Sequence, residues 1–208
     1  MSQVILLGGF IESIELCEKC GLEIVGIIDN TAVKEYEGYP VLGGDEEILA
    51  NSSAYHHIPL VMVPDGPGIR SRLYQLYSAE GFSFQTLISP TAIVSKSAEI
   101  GQGCIIQDYC NISAKVKMGN FVRVNTFGNI MHESVIGDYT TIAPNAVVLG
   151  RCRIEEFSYI GANATILPEL CVGRNAVIGA GAVVTRNVDD NLTAAGNPAR
   201  LLTAKQGI

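Results

Sequence analysis

The sequence predicts two architectures in tandem: a small α/β unit with a parallel sheet over residues 1–88, and a parallel β-helix over residues 89–188, closed by a tail segment at 189–208. Three observations carry this reading. From Ala92 onward the third place of every block of six is aliphatic, from Val94 and Ile100 through Ile130 and Ile136 to Ile178 and Val184, 16 blocks without a break. Four places after each of these the residue is usually small, as at Ala98, Cys104, Cys110, Gly128, Ser134, Cys152 and Ala164. Before residue 89 the pattern changes to strand-like and helix-like stretches in alternation.

The α/β unit reads in order as a strand at "VILLG", a helix at "IESIELCEKC", a strand at "LEIVGIIDN", a helix at "DEEILANS", a strand at "IPLVMVPDG", a helix at "IRSRLYQLYSAE" and a last strand at "FQTLISP". Ligands of such Rossmann-like sheets gather at the carboxyl ends of the strands. Gly8, Gly9, Phe10, Asp29, Asn30, Pro64, Asp65 and Gly66 all fall there. A redox dinucleotide is not expected, because "LLGGFIES" lacks the G-x-G-x-x-G that lets backbone meet pyrophosphate.

A period of six suits neither a 3.6-residue helix nor a simple alternating strand. It suits short parallel strands joined by tight corners, each sending one large and one small side chain inward. Cys104, Cys110 and Cys152 then become small interior residues.

Composition bounds the function. The 208-residue chain is 48% hydrophobic, and Lys+Arg 14 against Asp+Glu 21 leaves a net charge of −7. No basic stripe is available for nucleic acid. "MSQVILLGGF" has no charged leader and no apolar run reaches the roughly 18 residues of a membrane span, so a cytoplasmic protein is expected. The six cysteines are then expected as thiols, the Cys17/Cys20 pair included, since no second pair or nearby histidine completes a zinc site.

His132 is the only histidine of the second half and Glu133 follows it, whereas His56 and His57 lie in the loop-like "NSSAYHHIP" and read as surface residues. Ile130 is the inward aliphatic of its block, so His132, two places on, is expected at a corner and pointing outward. An imidazole, with an ordinary pKa near ~6.5, can take a proton near neutral pH.

The repeat resembles the hexapeptide-repeat acyltransferases, whose motif of an aliphatic residue, often Gly, two variable residues and a small one is visible in "IGQGC", "VIGDYT" and "VIGAGA". The resemblance runs from about residue 90 to residue 208, including "AAGNPARLL", which resembles the family's exit segment. It implies a left-handed coil of about 18 residues per turn, and therefore about five coils in a prism ~25 Å tall. The N-terminal unit resembles that of bacterial sugar-nucleotide acetyltransferases, which include N-acetyltransferases of nucleotide-linked 4-amino-sugars and the related sialic acid O-acetyltransferases.

By this resemblance Gly8, Gly9, Phe10, Asp29, Asn30 and Asp65 bind the nucleotide-linked amino-sugar. The "NT…HE.VIG" setting implies that His132 is the general base, held by Glu133 and seated between subunits of a homotrimer. Gly150, 18 residues on, occupies the next layer of the same column and matches the residue whose N–H stabilises the oxyanion. Asn125 matches a residue near the sugar's amino group. Acetyl-CoA is implied as co-substrate, with no metal, in a groove between β-helices near Thr141, Gly161, Ala162, Gly179, Ala180 and Gly181; Arg174 and Arg186 could meet its phosphates.

Two positions depart from the family pattern. Phe10 and Ile11 stand where a Gly-His usually follows the first glycines, and Thr141 stands where several members carry a second histidine. The expected activity is N-acetylation of a nucleotide-linked amino-sugar for bacterial surface glycans. O-acetylation of a sialic acid type sugar and a non-catalytic β-helix scaffold are the alternatives. A γ-class carbonic anhydrase is excluded because it needs three histidines per zinc and the β-helix has one.

Overall fold

The computed structural model describes residues 2–31 and 33–202; the last six residues of the predicted tail lie outside the described residues. The α/β unit holds β1 (Gln3–Leu7), α1 (Ile11–Lys19), β2 (Glu23–Ile28), β3 (Glu35–Tyr36), β4 (Tyr39–Gly43), α2 (Asp45–Ala50), α3 (Ser52–Tyr55), β5 (Leu60–Met62) and α4 (Pro67–Ala79). Its sheet has the order β3-β4-β2-β1-β5, parallel except for the β3–β4 hairpin. Val4, Leu6, Ile27 and Val61 face α1 on one side, while Ile5, Leu7, Ile28 and Met62 face α4 on the other.

The hairpin and the short α3 were not anticipated, because neither "EYEGYPVLG" nor "SSAY" has enough apolar periodicity to stand out. The predicted last strand, "FQTLISP", splits. Phe84 bridges Leu60 in the α/β sheet, whereas β6 (Leu87–Ile88) pairs with Ile105–Ile106 and is the first rung of the coil.

From there the chain winds through 16 two-residue strands, β7 (Ile93–Val94) to β22 (Val183–Val184), then β23 (Thr193–Ala195) and β24 (Arg200–Leu201). Each strand from β6 to Thr165–Ile166 pairs in parallel with the one 18 residues on, as Asn111 with Asn129 and Ile112 with Ile130, so three strands make one coil; the last coil is shorter, with Val177 opposite Thr193. Three faces result. The first runs from β6 through Arg123–Val124 to Thr193–Ala195, the second through Asn129–Ile130, the third through Val135–Ile136. The second residue of each strand from β6 to β23 belongs to the interior, with Ile112, Ile130, Ile142, Ile160 and Ile178 all fully buried, and Cys104, Cys110 and Cys152 packed among them. Burial pushes the Cys104 thiol up to about 12 and that of Cys110 to about 11.

From Gly103 to Gly181 the corners turn through a residue with positive φ at every sixth position, Gly103 (64°), Phe121 (54°), Phe127 (61°), Glu133 (59°) and Tyr139 (59°) among them. An L residue there costs energy, and two repeating contacts offset it. The corner N–H donates to the coil before, as Glu133 N to Ala114 O at 2.9 Å. Corner aromatics also stack in columns, Phe121 on Tyr139 at 5.4 Å and Tyr139 on Phe157 at 5.0 Å.

The α/β unit sits on the first face. Outward residues that would otherwise meet water are covered there: Ile105 at 2%, Arg123 at 4% and Thr141 at 0% exposure. Arg70 of α4 crosses the seam, itself 1% exposed. Its Nε donates to Phe121 O at 3.0 Å, and its Nη2 to Thr140 O at 3.3 Å, to Thr141 Oγ1 at 3.1 Å and to Tyr139 O. Burial draws its guanidinium down to about 10, so it is charged at neutral pH. Among the described residues no helix is long and apolar enough to cross a membrane.

Candidate active site

Strand ends of the α/β sheet build the first part of the site. Gly8 leaves β1 at φ 103°, which favours glycine, and a Cβ on Gly9 would press on the Tyr36 ring at 3.3 Å. Asp29 accepts from Gly9 N at 3.3 Å and from Thr31 N at 2.9 Å. Burial alone would raise its carboxyl, but the hydrogen bonds from Thr31 and Gly9 outweigh it and hold the group below the usual carboxylate range. Asn30 and Asp45 bind reciprocally at 2.8 and 2.9 Å, and Tyr77 donates to Asp45 at 2.6 Å. Asp29, Asn30, Asp45, Glu46, Glu47 and Arg72 line an open groove of about 890 Å³. Phe10 is exposed at the N-cap of α1 and does not line the groove.

Asp65, after β5, faces the coil, where its backbone carbonyl accepts from Thr141 Oγ1 at 3.1 Å. Its carboxylate is 3.4 Å from Nε of Arg123. Arg123 in turn donates through Nε to Asn125 Oδ1 at 2.9 Å and through Nη1 to Val63 O at 2.6 Å.

Asn125 occupies the corner between the first and second faces. Gly161 and Gly179 take the same place two and three coils along. A Cβ on Gly161 would meet Ala180 N at 2.6 Å, and one on Gly179 would meet Ala195 at 2.8 Å. With Ala162, Ala180 and Gly181 they form a strip that consists mostly of backbone. Such a strip can take an extended amide-bearing chain.

His132 and Glu133 occupy the next corner, between the second and third faces. The positive φ of Glu133 folds its side chain back so that Oε2 lies 3.3 Å from His132 Nδ1, a contact that adjacent residues on a flat strand could not make. Both side chains are nearly half exposed, at 45% and 47%. The other edge of the ring lies over Gly150: a Cβ there would sit 2.7 Å from His132 Nε2 and Cε1. The Gly150 N–H donates to no acceptor among the described residues. Nδ1 is thus engaged, Nε2 is free, and an unengaged N–H lies next to it.

These placements predict that Gly150→Ala, with room for the methyl only if the ring swings away, lowers turnover about 10- to 100-fold while leaving the coil intact. Steady-state rates beside a melting curve check this; unchanged turnover would mean that the ring does not work from this position.

The structure therefore groups the sequence-predicted residues in three places: the groove, the Asn125 corner with the Gly161–Gly181 strip, and the His132 corner with Gly150. Within one chain the last two stand on opposite edges of the second face. Thr141 is a correction. It is fully buried at the seam, donating to Asp65 O at 3.1 Å and accepting from Arg70, so it has no surface for an acetyl donor. Arg174 is paired with Glu156. Arg70 and Arg123 escaped sequence reasoning. The available signal was the outward position of the first face, Leu87, Ile105, Arg123, Thr141, Tyr159 and Val177, which is too apolar for a solvated surface and marks a covered one.

Among the described residues no group of three or more His, Cys, Asp or Glu is arranged to hold a metal ion.

Residues 151–186 match the family described as bacterial transferase hexapeptide (six repeats). No curated protein matches the sequence. Among solved structures, PerB from Caulobacter crescentus in complex with CoA and GDP-perosamine superposes with a TM-score of 0.90 at 27% identity, over 98% of each chain. The acetyltransferase domain of PglB from Neisseria gonorrhoeae in complex with acetyl coenzyme A gives 0.89 at 30% identity, over 96% of this chain and 98% of that one. WeeI from Acinetobacter baumannii gives 0.87 at 28% identity, over 97% and 100%. Fold and site together define a hexapeptide-repeat acyltransferase. Within that class the chain belongs to the family of bacterial sugar-nucleotide acetyltransferases, and it is an acetyltransferase.

Proposed function

We propose that the protein transfers the acetyl group of acetyl-CoA to the amino group of a nucleotide-linked amino-sugar, a 4-amino-4,6-dideoxy sugar, in the cytoplasm during surface glycan synthesis. The observation that carries the reading is the His132 corner, where a carboxylate takes Nδ1, leaves Nε2 free and sets both beside an open backbone N–H. Such an arrangement suits attack by an amine on a thioester. The amine nitrogen bonds to the carbonyl carbon, Nε2 accepts the proton it sheds, the C–S bond breaks, and the imidazolium returns a proton to the CoA sulfur. Glu133 holds the Nδ1–H and stabilises the imidazolium. Gly150 N–H faces the oxygen on which negative charge develops. Asp29 with the Gly8–Gly9–Phe10 turn, Asn30 and Asp65 hold the nucleotide end, and the strip at Gly161, Ala162 and Gly179–Ala180–Gly181 takes the pantetheine.

We further propose a homotrimer with the site between chains. The outward residues of the second face, Ile93, Asn111, Asn129, Val147, Thr165 and Val183, include no charge, whereas the third face presents Glu99, Lys117 and Arg153. Packed around a three-fold axis, second faces would bring the Asn125 corner of one chain to the His132 corner of the next.

The test follows thiol release from acetyl-CoA with UDP-, dTDP- and GDP-linked 4-amino-6-deoxy sugars and with sialic acid. Turnover with at least one amino-sugar is expected. Turnover with sialic acid alone would replace N- by O-acetylation, and acetyl-CoA binding without transfer to any acceptor would favour a scaffold.

A further inference from the structure

Arg123 stands at the junction of the two units. It lies in β12 (Arg123–Val124) on the first face, points outward, and is only 4% exposed where the α/β unit meets the coil. Burial lowers its pKa, and the nearby Asp65 carboxylate opposes that shift. Its Nη1 donates to the Val63 carbonyl at 2.6 Å, and its Nε faces two oxygens, Asn125 Oδ1 at 2.9 Å and Asp65 Oδ1 at 3.4 Å. Val63 and Asp65 belong to the segment that leaves β5 toward the nucleotide groove, and Asn125 heads the strip at the first corner of the coil.

The chemistry of the contact dictates which way Asn125 faces. Guanidinium has only donors, so the Asn125 atom against Nε is its oxygen, and the NH₂ group is turned to the corner surface. Asn125 thus acts there as a donor. A donor directed at the attacking amine would occupy the lone pair that must form the new bond. The amide is therefore suited to a ligand oxygen, a sugar hydroxyl or a thioester or amide carbonyl, beside the reacting nitrogen.

We infer that Arg123 is a positioning residue for acetyl transfer: it fixes the Asn125 side-chain amide as a donor and ties it to the Val63–Asp65 segment, so that the acceptor bound in the α/β groove and the strip on the coil are held in one register. This rests on the proposed function. A rigid link of this kind matters because a misplacement of about 1 Å in a reacting pair can cost as much as about 100-fold in rate. Lysine at this position keeps the charge but not the two directed N–H groups that reach Val63 and Asn125 together.

The experiment is a double-mutant cycle on Arg123→Lys and Asn125→Ala, read as kcat and KM for acetyl-CoA and for the amino-sugar nucleotide that the wild type uses among UDP-, dTDP- and GDP-linked 4-amino-6-deoxy sugars. Each single variant is expected to lower kcat about 10-fold or more, with KM for acetyl-CoA within about 3-fold of wild type, and the double variant to be no slower than the worse single one, because coupled residues act as a unit. Full kcat in Arg123→Lys, or losses that multiply in the double variant, would overturn the inference. Should Arg123→Lys fail to fold, the same cycle runs on Asp65→Ala and Asn125→Ala, both partly exposed side chains that Arg123 alone connects; independent losses there would overturn it equally. A wild type that acetylates no amino-sugar would instead sink the functional reading on which the inference rests.

Discussion

Replacing His132 with alanine is expected to lower acetyl transfer about 100-fold or more, with the fold intact. Nothing in the interior depends on the ring: it is nearly half exposed, and its neighbours in the coil are held by Ile130 and Ser134, which are fully buried. What is lost is the proton acceptor at Nε2. Glu133→Gln, which keeps a hydrogen bond but removes the charge opposite Nδ1, should lose less, because Glu133 only stabilises a proton that His132 carries. Thiol release under saturating acetyl-CoA measures both. Undiminished turnover in His132→Ala would remove the general base from this corner.

Replacing Arg70 with methionine has the largest expected effect on stability, about 3–5 kcal/mol, seen as an earlier midpoint in urea. A buried ion pair can often be exchanged for apolar residues at little cost, since both charges leave together. Arg70 is different. Its partners at Phe121, Thr140, Tyr139, Pro64 and Asp65 are backbone carbonyls, which remain when the guanidinium goes. Several buried acceptors would be left without donors at the seam that sets the groove against the coil. A midpoint shift worth less than about 1 kcal/mol would mean that water reaches these carbonyls and the seam is looser than described.

The coil was legible from the sequence because one requirement repeats: every strand sends an aliphatic residue inward, and a chain of 16 such demands leaves no other period. His132 was legible for the same reason, since Ile130 dictates which way a residue two places on must point. The corners were not, because positive φ usually announces itself through glycine, whereas here Phe121, Phe127, Glu133 and Tyr139 adopt it and are held by contacts with the coil above or below. Nothing local in "HE" says that the two side chains meet. The end of the α/β unit was misread at "FQTLISP" because a strand of the sheet and a rung of the coil look alike over two residues. Thr141 was misplaced because its burial comes from the α/β unit, a contact between segments about 70 residues apart in sequence. Arg123 and Arg70 were invisible for that reason too.

The proposed site also makes a demand that one chain cannot meet, since His132 and Asn125 border opposite edges of the second face. Mixing addresses it directly. His132→Ala chains, slowed about 100-fold or more, and Asn125→Ala chains, slowed about 10-fold or more, are unfolded together and reassembled in equal amounts. If each site takes His132 from one chain and Asn125 from its neighbour, random mixed trimers should recover up to about one quarter of wild-type turnover. Mixed trimers that form but stay as inactive as their parents would place both residues in the same chain's site, or outside it, and would contradict the account.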